Sequence, residues 1–390
     1  MNTQTDLKQQ FSRELMNVYG FWKGLYDPRG GYYGLVDYDL NLHKDAEKGV
    51  ILHSRILWFF SRMCRVSEAA AEALPYARHA YEFLVRFCMD REHGGMFWMT
   101  NCFGQPADTV KHTYNQAFAI YGLSAYYEAS GDERALQTAY ALFELIEEKC
   151  ADMFGYAEAF SRDWMPADND KLSEDGFRAD KTMNTLLHLI EAYTELYRVG
   201  RNEKVRQKLI RALIIVAENV YDPNTHILGV YFDREMNSIA EVHSYGHDIE
   251  ASWLLDRALE VAGDFNGAEA VRKMDQEIVK KIYATAYLEG VVYNQDIQGR
   301  VDKTQIWWIQ CESILGFLNG FEKYHEEDYR TAAEKIWGHV QACFIDRRAG
   351  SEWLYALDEA GRPLENYPIA GPWKCPYHNG RMLLEGMERL

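Results

Sequence analysis

The sequence predicts an all-α fold: an (α/α)6 barrel of six helical hairpins, with short β-hairpins at one rim. Three observations point to it. A glycine–aromatic punctuation recurs every sixty to seventy-five residues or so, two kinds of helical segment alternate between the punctuations, and no Pro- or Gly-rich linker interrupts the 390 residues.

The punctuation is a turn, a glycine and a short aromatic or β-branched run. It reads Gly31-Tyr32-Tyr33, Gly95-Met96-Phe97-Trp98, Gly155-Tyr156, Gly229-Val230-Tyr231-Phe232, Gly290-Val291-Val292-Tyr293 and Gly350-Ser351-Glu352-Trp353. A unit of this length is too long for the common short solenoids, but it holds two helices of about twenty residues with their loops. Residues 69–90, 132–149, 202–220, 265–285 and 326–343 place apolar residues at helical spacing under charged outer faces. Between them, residues 47–65, 108–129, 181–199, 246–263, 305–323 and 377–388 are richer in aromatic and small residues, as helices packed on both sides should be. Apolar inner helices inside polar outer ones close into a barrel, and residues 1–390 are expected to form one domain. An open solenoid fits the same alternation, but it calls for polar capping repeats at its ends.

Composition narrows the function classes. The chain is 47% hydrophobic and 14% aromatic, enough for a large core. Its 42 basic and 59 acidic residues give a net charge of -17, which disfavours nucleic acid and anionic membrane as partners. No apolar run is long enough to span a bilayer, and Met1 to Gly20 lack the pattern of a signal peptide. Seven cysteines without metal-knuckle spacing read as reduced thiols, so a cytoplasmic monomer is expected.

Polar groups collect at the starts of the inner segments. These carry Arg55 in His53-Ser54-Arg55, Tyr114 in His112-Thr113-Tyr114-Asn115-Gln116, Asn184 with His188, His247 with Glu250, Trp307-Trp308-Ile309-Gln310, and His378 in Pro376-Tyr377-His378-Asn379. In a barrel these positions face one cavity. Tryptophan faces and convergent polar groups suit a carbohydrate pocket. Each residue also has a plainer reading. His188, within Leu186-Leu187-His188-Leu189-Ile190, fits a hydrogen-bonded core residue. Glu250 and His247 fit a helix-start salt bridge or a tautomer-fixing pair. Arg55 fits a pairing with an acid, and Trp307 and Trp308 fit packing. His243, His247 and Glu250 do not form HExxH, and Gly246 leaves His243 before the helix, so no metal site is expected. With no phosphate loop or dinucleotide fingerprint either, no cofactor is expected.

Three segments carry a family resemblance: Met183 to Tyr193, Ser244-Tyr245-Gly246-His247-Asp248-Ile249-Glu250, and Gly371-Pro372-Trp373-Lys374-Cys375-Pro376-Tyr377-His378. Together with Lys48 to Arg55 and Trp307 to Gln310, they resemble the cellobiose 2-epimerases of the N-acylglucosamine 2-epimerase superfamily. The resemblance implies an (α/α)6 barrel and reversible epimerisation at C2 of the reducing-end glucose of β-1,4-linked disaccharides, without a cofactor. It implies that His247 and His378 are the acid/base pair. His188, Arg55 and Asn184 would surround the C1–C2 end, Glu250 would partner His247, and Trp373 with Trp307 or Trp308 would be sugar platforms. Many relatives carry a further histidine where this chain has Leu186. The same histidines would serve an N-acylglucosamine epimerase or an aldose–ketose isomerase. An inverting glycosidase would instead require two separated carboxylates.

Overall fold

The computed structural model describes residues 3–66, 69–172 and 176–390. Among them lie twelve α-helices: α1 (Thr3–Gly24), α2 (Val50–Met63), α3 (Ala70–Phe83), α4 (Thr113–Ser130), α5 (Glu133–Lys149), α6 (Met183–Gly200), α7 (Glu203–Ile215), α8 (Tyr245–Ala262), α9 (Ala268–Thr285), α10 (Trp307–Tyr324), α11 (Glu327–His339) and α12 (His378–Arg389).

The even-numbered helices form the inner ring. They touch in the order α2, α4, α6, α8, α10, α12, and α12 returns to α2. Every residue of α2 is buried, as its unbroken apolar and aromatic run requires. The outer helices are amphipathic: α9 buries Val271, Met274, Ile278 and Ile282 at helical spacing and turns its Lys and Glu residues outward. Local capping marks their ends. Asp132 and Asn202 accept amide N–H bonds at the starts of α5 and α7, and Gly131 closes α4 in the left-handed region at φ 69°.

The predicted barrel is therefore the observed fold, with one change of connectivity. Five hairpins join neighbours in sequence, but the sixth inner helix, α12, pairs with α1 from the opposite end of the chain. Outer helix α1 was not among the segments anticipated above. It is amphipathic too, burying Leu7, Phe11, Leu15, Val18 and Trp22.

The glycine–aromatic runs do build one rim. Each pairs with the chain leaving an outer helix: Tyr26 with Tyr32, Met89 with Met96, Ala151 with Tyr156, Tyr221 with Leu228, Tyr287 with Val292, and Ile345 with Trp353. A second set of antiparallel contacts links each unit to the next just before an inner helix begins. Lys48 pairs with Thr100, His112 with Ala159, Thr182 with Tyr231, Ser244 with Gln295, and Ile306 with Ala356. Val36 with Ala370 completes that circle. In three units a buried lysine clamps this strand to the preceding turn: Lys48 to Asp27 at 2.7 Å, Lys111 to Asp90 at 3.1 Å and Lys181 to Asp152 at 2.6 Å. The inner-helix starts are thus held from both sides.

Candidate active site

Helical geometry sorts the first two turns of each inner helix into two faces. Positions two and six lie four residues apart and share a face, whereas position four is turned about 200° from position six. Position four faces the rim. His53 accepts the Tyr32 N–H at 2.9 Å, Gln116 bonds both backbone groups of Met96, and Gln310 both of Val292. Positions two and six face the axis and supply Tyr114, Asn184 with His188, Glu250, Trp308 and Arg55. Position two of α8 is Gly246. A Cβ there would stand 2.5 Å from the Trp308 ring, so glycine makes room for the indole.

The result is a cavity of about 370 Å³ lined by all ten residues singled out in the sequence: Arg55, Tyr114, Asn184, His188, His247, Glu250, Trp307, Trp308, Trp373 and His378. Both Trp307 and Trp308 reach it. Trp308 lies beside two of the histidines, its ring 4.9 Å from His247 and 5.5 Å from His378. Trp307 packs 4.3 Å from Tyr355, and its buried indole N–H has no partner among the described residues.

The three histidines are held in the same way. Each uses Nδ1 toward the protein: His188 on Glu191 at 3.0 Å, His378 on Glu312 at 2.7 Å, and His247 on the Ser244 hydroxyl at 2.7 Å. Among the described residues, none uses Nε2 in a hydrogen bond. Glu250 is not the partner of His247. Its carboxylate pairs with Arg381, because α8 turns position six toward the barrel floor while His247, three residues earlier, lies beside Ser244.

Beneath the histidines lies a layer of charge that the sequence reading did not identify. Arg381, fully buried, contacts Glu191, Glu250 and Glu312, and the Tyr377 hydroxyl donates to Glu191 at 2.5 Å. Burial alone would raise Glu191, but Arg381 and His188 hold its pKa down to about 2. Burial, reinforced by the Glu312 charge, pushes Glu250 up to about 7. Glu250, Glu312 and His378 have ligand-type atoms within 4.8 Å of one another, but Arg381 already supplies the cation that the two carboxylates share. His243, in the combination weighed above as a metal site, points to Asp248 at 2.9 Å. Spacing could have suggested two of the missed groups: Glu191 stands three residues after His188, and Arg381 three after His378.

Arg55 is the opposite kind of arginine. It is 2% exposed and has no carboxylate partner among the described residues. Its guanidinium donates to the Tyr114 hydroxyl at 2.8 Å and to the Cys375 sulfur at 3.8 Å, and it rests 4.1 Å from Phe118 and 4.6 Å from Tyr377. The buried Asn184 Oδ1 likewise has no partner among the described residues. Burial, with a contribution from His188, pushes His247 down to about 3. Burial, with Arg55 and Arg381, holds His378 well below its ordinary value. Both imidazoles are therefore neutral in the free site. The site joins neutral bases, an uncompensated cation and indole faces, which suits proton transfer next to a developing oxyanion.

Seven further described residues line the cavity and went unnoticed, Asn294, Gln295, Asp302, Tyr355 and Tyr367 among them. Asn294 adjoins the fifth glycine–aromatic run and Tyr355 the sixth, so the rim itself was the available signal.

Residues 31–379 match the N-acylglucosamine 2-epimerase (GlcNAc 2-epimerase) family. The chain is 47% identical over 374 residues to the cellobiose 2-epimerase of Ruminococcus albus, covering 96% of each. It is 44% identical over 382 residues to that of Eubacterium cellulosolvens, covering 94% of each. The solved structure of the cellobiose 2-epimerase from Bacillus thermoamylovorans B4167 superimposes with a TM-score of 0.95 at 42% identity over the full length of both chains.

Proposed function

The chain belongs to the N-acylglucosamine 2-epimerase family and, within it, to the cellobiose 2-epimerases; on that premise we propose that it inverts C2 of the reducing-end glucose of β-1,4-linked disaccharides. Cellobiose becomes glucosyl-mannose and lactose becomes epilactose. The observation that carries this reading is the set of three histidines held through Nδ1, with Nε2 left for the cavity, around an arginine that no carboxylate among the described residues neutralises.

Opening of the sugar ring places the C2 proton α to an aldehyde. One imidazole of the His247–His378 pair removes that proton at Nε2, and the electron pair of the C–H bond moves into a cis-enediolate. The other imidazole, first protonated by a substrate hydroxyl or water, returns that proton to the opposite face of C2 as the enediolate reverts to the aldehyde, and the first imidazolium gives its proton to the oxygen left behind. Arg55 and His188 stand at O1, where the guanidinium stabilises the developing negative charge. Trp308, beside both imidazoles, and Trp373 offer faces for sugar C–H surfaces. No step draws on a metal or nucleotide.

Incubation with cellobiose or lactose in deuterated water, followed by product NMR, tests the proposal. The expected product carries mannose at the reducing end with deuterium at its C2. A ketose labelled at C1, or an epimer formed without exchange, would overturn it.

A further inference from the structure

The proton-transfer scheme gives no task to one carboxylate in the cavity wall, that of Asp302. This residue lies on the edge strand of a three-stranded sheet made by residues 242–244, 295–297 and 300–302. In that sheet Ser244, Gln295 and Asp302 form one register row, and His243, Asp296 and Val301 the next. Alternate rows face opposite ways. The His243 row turns away, with His243 on Asp248, while the Ser244 row faces the cavity: Ser244 grips His247, and Gln295 and Asp302 line the wall. Neighbouring strands lie about 4.8 Å apart, so Asp302 stands about 10 Å along the row from the serine that holds His247. That separation leaves room for a second sugar ring beyond the reacting one.

The carboxylate is fixed in place. Its Oδ2 accepts from the Asn294 side-chain amide at 2.7 Å, and its Oδ1 from the Thr304 backbone N–H at 2.9 Å. Burial would raise its pKa, but these bonds from Asn294 and Thr304 hold it below the usual carboxylate value, so it is ionised at neutral pH. Each oxygen retains acceptor capacity for a further donor. The rings of Tyr355 and Tyr367, stacked 4.6 Å apart at 15°, line the same cavity. A fixed anion beside aromatic faces accepts charge-assisted bonds from hydroxyls and repels other anions.

We propose that Asp302 anchors the non-reacting pyranose of the disaccharide by accepting hydrogen bonds from its hydroxyls, and that it excludes sugars bearing a carboxylate or phosphate on that ring. The inference rests on the disaccharide reading given above. Calorimetric binding of cellobiitol, which cannot react, tests it independently of turnover. Asp302→Asn, with Asp302→Ser as a second variant and melting curves as the check on folding, should lose at least tenfold in cellobiitol affinity. With cellobiose, KM should rise by a similar factor while kcat stays within about threefold. The variants should also narrow the wild-type preference for cellobiose over glucuronosyl-β-1,4-glucose. Unchanged cellobiitol affinity, a loss confined to kcat, or no cellobiitol binding by the wild type would overturn the inference. Wild-type binding that depends on Asp302, without epimerisation of cellobiose, would overturn the proposed reaction and leave this subsite standing.

Discussion

The two faces of the inner-helix starts treat the same side chain in opposite ways. On the rim face, His53 is 0% exposed and uses both ring nitrogens: Nδ1 donates to the Gly49 carbonyl at 2.7 Å, and Nε2 accepts the Tyr32 N–H at 2.9 Å. In the cavity wall, His188 and His378 are 3% and 6% exposed, nearly as buried, yet among the described residues each commits only Nδ1. Burial therefore does not distinguish a structural histidine from one proposed to react. The second nitrogen does: a filled Nε2 fastens a hairpin, and an unfilled one is available to substrate. The arginines divide along the same line: among the described residues, Arg381 shares three carboxylates and Arg55 has none.

The largest expected effect lies in the cavity wall. His247→Ala and His378→Ala should each lower epimerisation by roughly 10²–10⁴-fold, the usual cost of losing a positioned general base. Circular dichroism and melting temperature should stay close to wild type. A folded His378→Ala enzyme with near wild-type turnover would leave His247 as a single base acting on a rotating intermediate.

A smaller effect is expected where the three cavity histidines differ. Only His247 is oriented by a neutral group, the Ser244 hydroxyl, while His188 and His378 face carboxylates. Loss of one neutral hydrogen bond is worth about 1 kcal/mol, roughly five- to tenfold in rate. Ser244→Ala should therefore lower kcat by about that factor with little change in KM. A hundredfold loss would show that Ser244 does more than orient the ring.

The smallest effect on turnover, but a clear one on stability, is expected on the rim face. His53→Ala leaves the Tyr32 N–H unpaired and removes the imidazole donor from the Gly49 carbonyl, at a cost of about 1–3 kcal/mol, while kcat per folded molecule should be unchanged. The pH dependence sharpens this. Burial pushes His53 down to about 3, against an ordinary value of 6.5. The unfolded chain thus binds a proton that the folded one does not, so this contribution is complete above pH 6.5 and is lost as pH falls toward 3. Melting temperature against pH should fall less steeply for His53→Ala across that window. Parallel curves for the two proteins would refute the assignment.

Much of this was legible in the chain itself. Helical periodicity and the glycine–aromatic runs determined the barrel, because both arise from contacts a few residues apart. Nine of the ten cavity residues followed from their place at inner-helix starts, where the spacing of Asn184 and His188 sets one helical face, and Trp373 followed from the family resemblance. What the sequence did not disclose is who holds whom. His378 meets Glu312 across 66 residues, Arg381 meets Glu250 across 131 and Glu191 across 190, and α1 finds α12 across the whole chain. Glu250, three residues from His247, was the local expectation for its partner, yet Arg381 claims it and Ser244 takes its place. Only the closed ring decides such pairings, because a buried charge or ring nitrogen binds whatever complementary group the packed helices bring within about 3 Å, however distant in sequence.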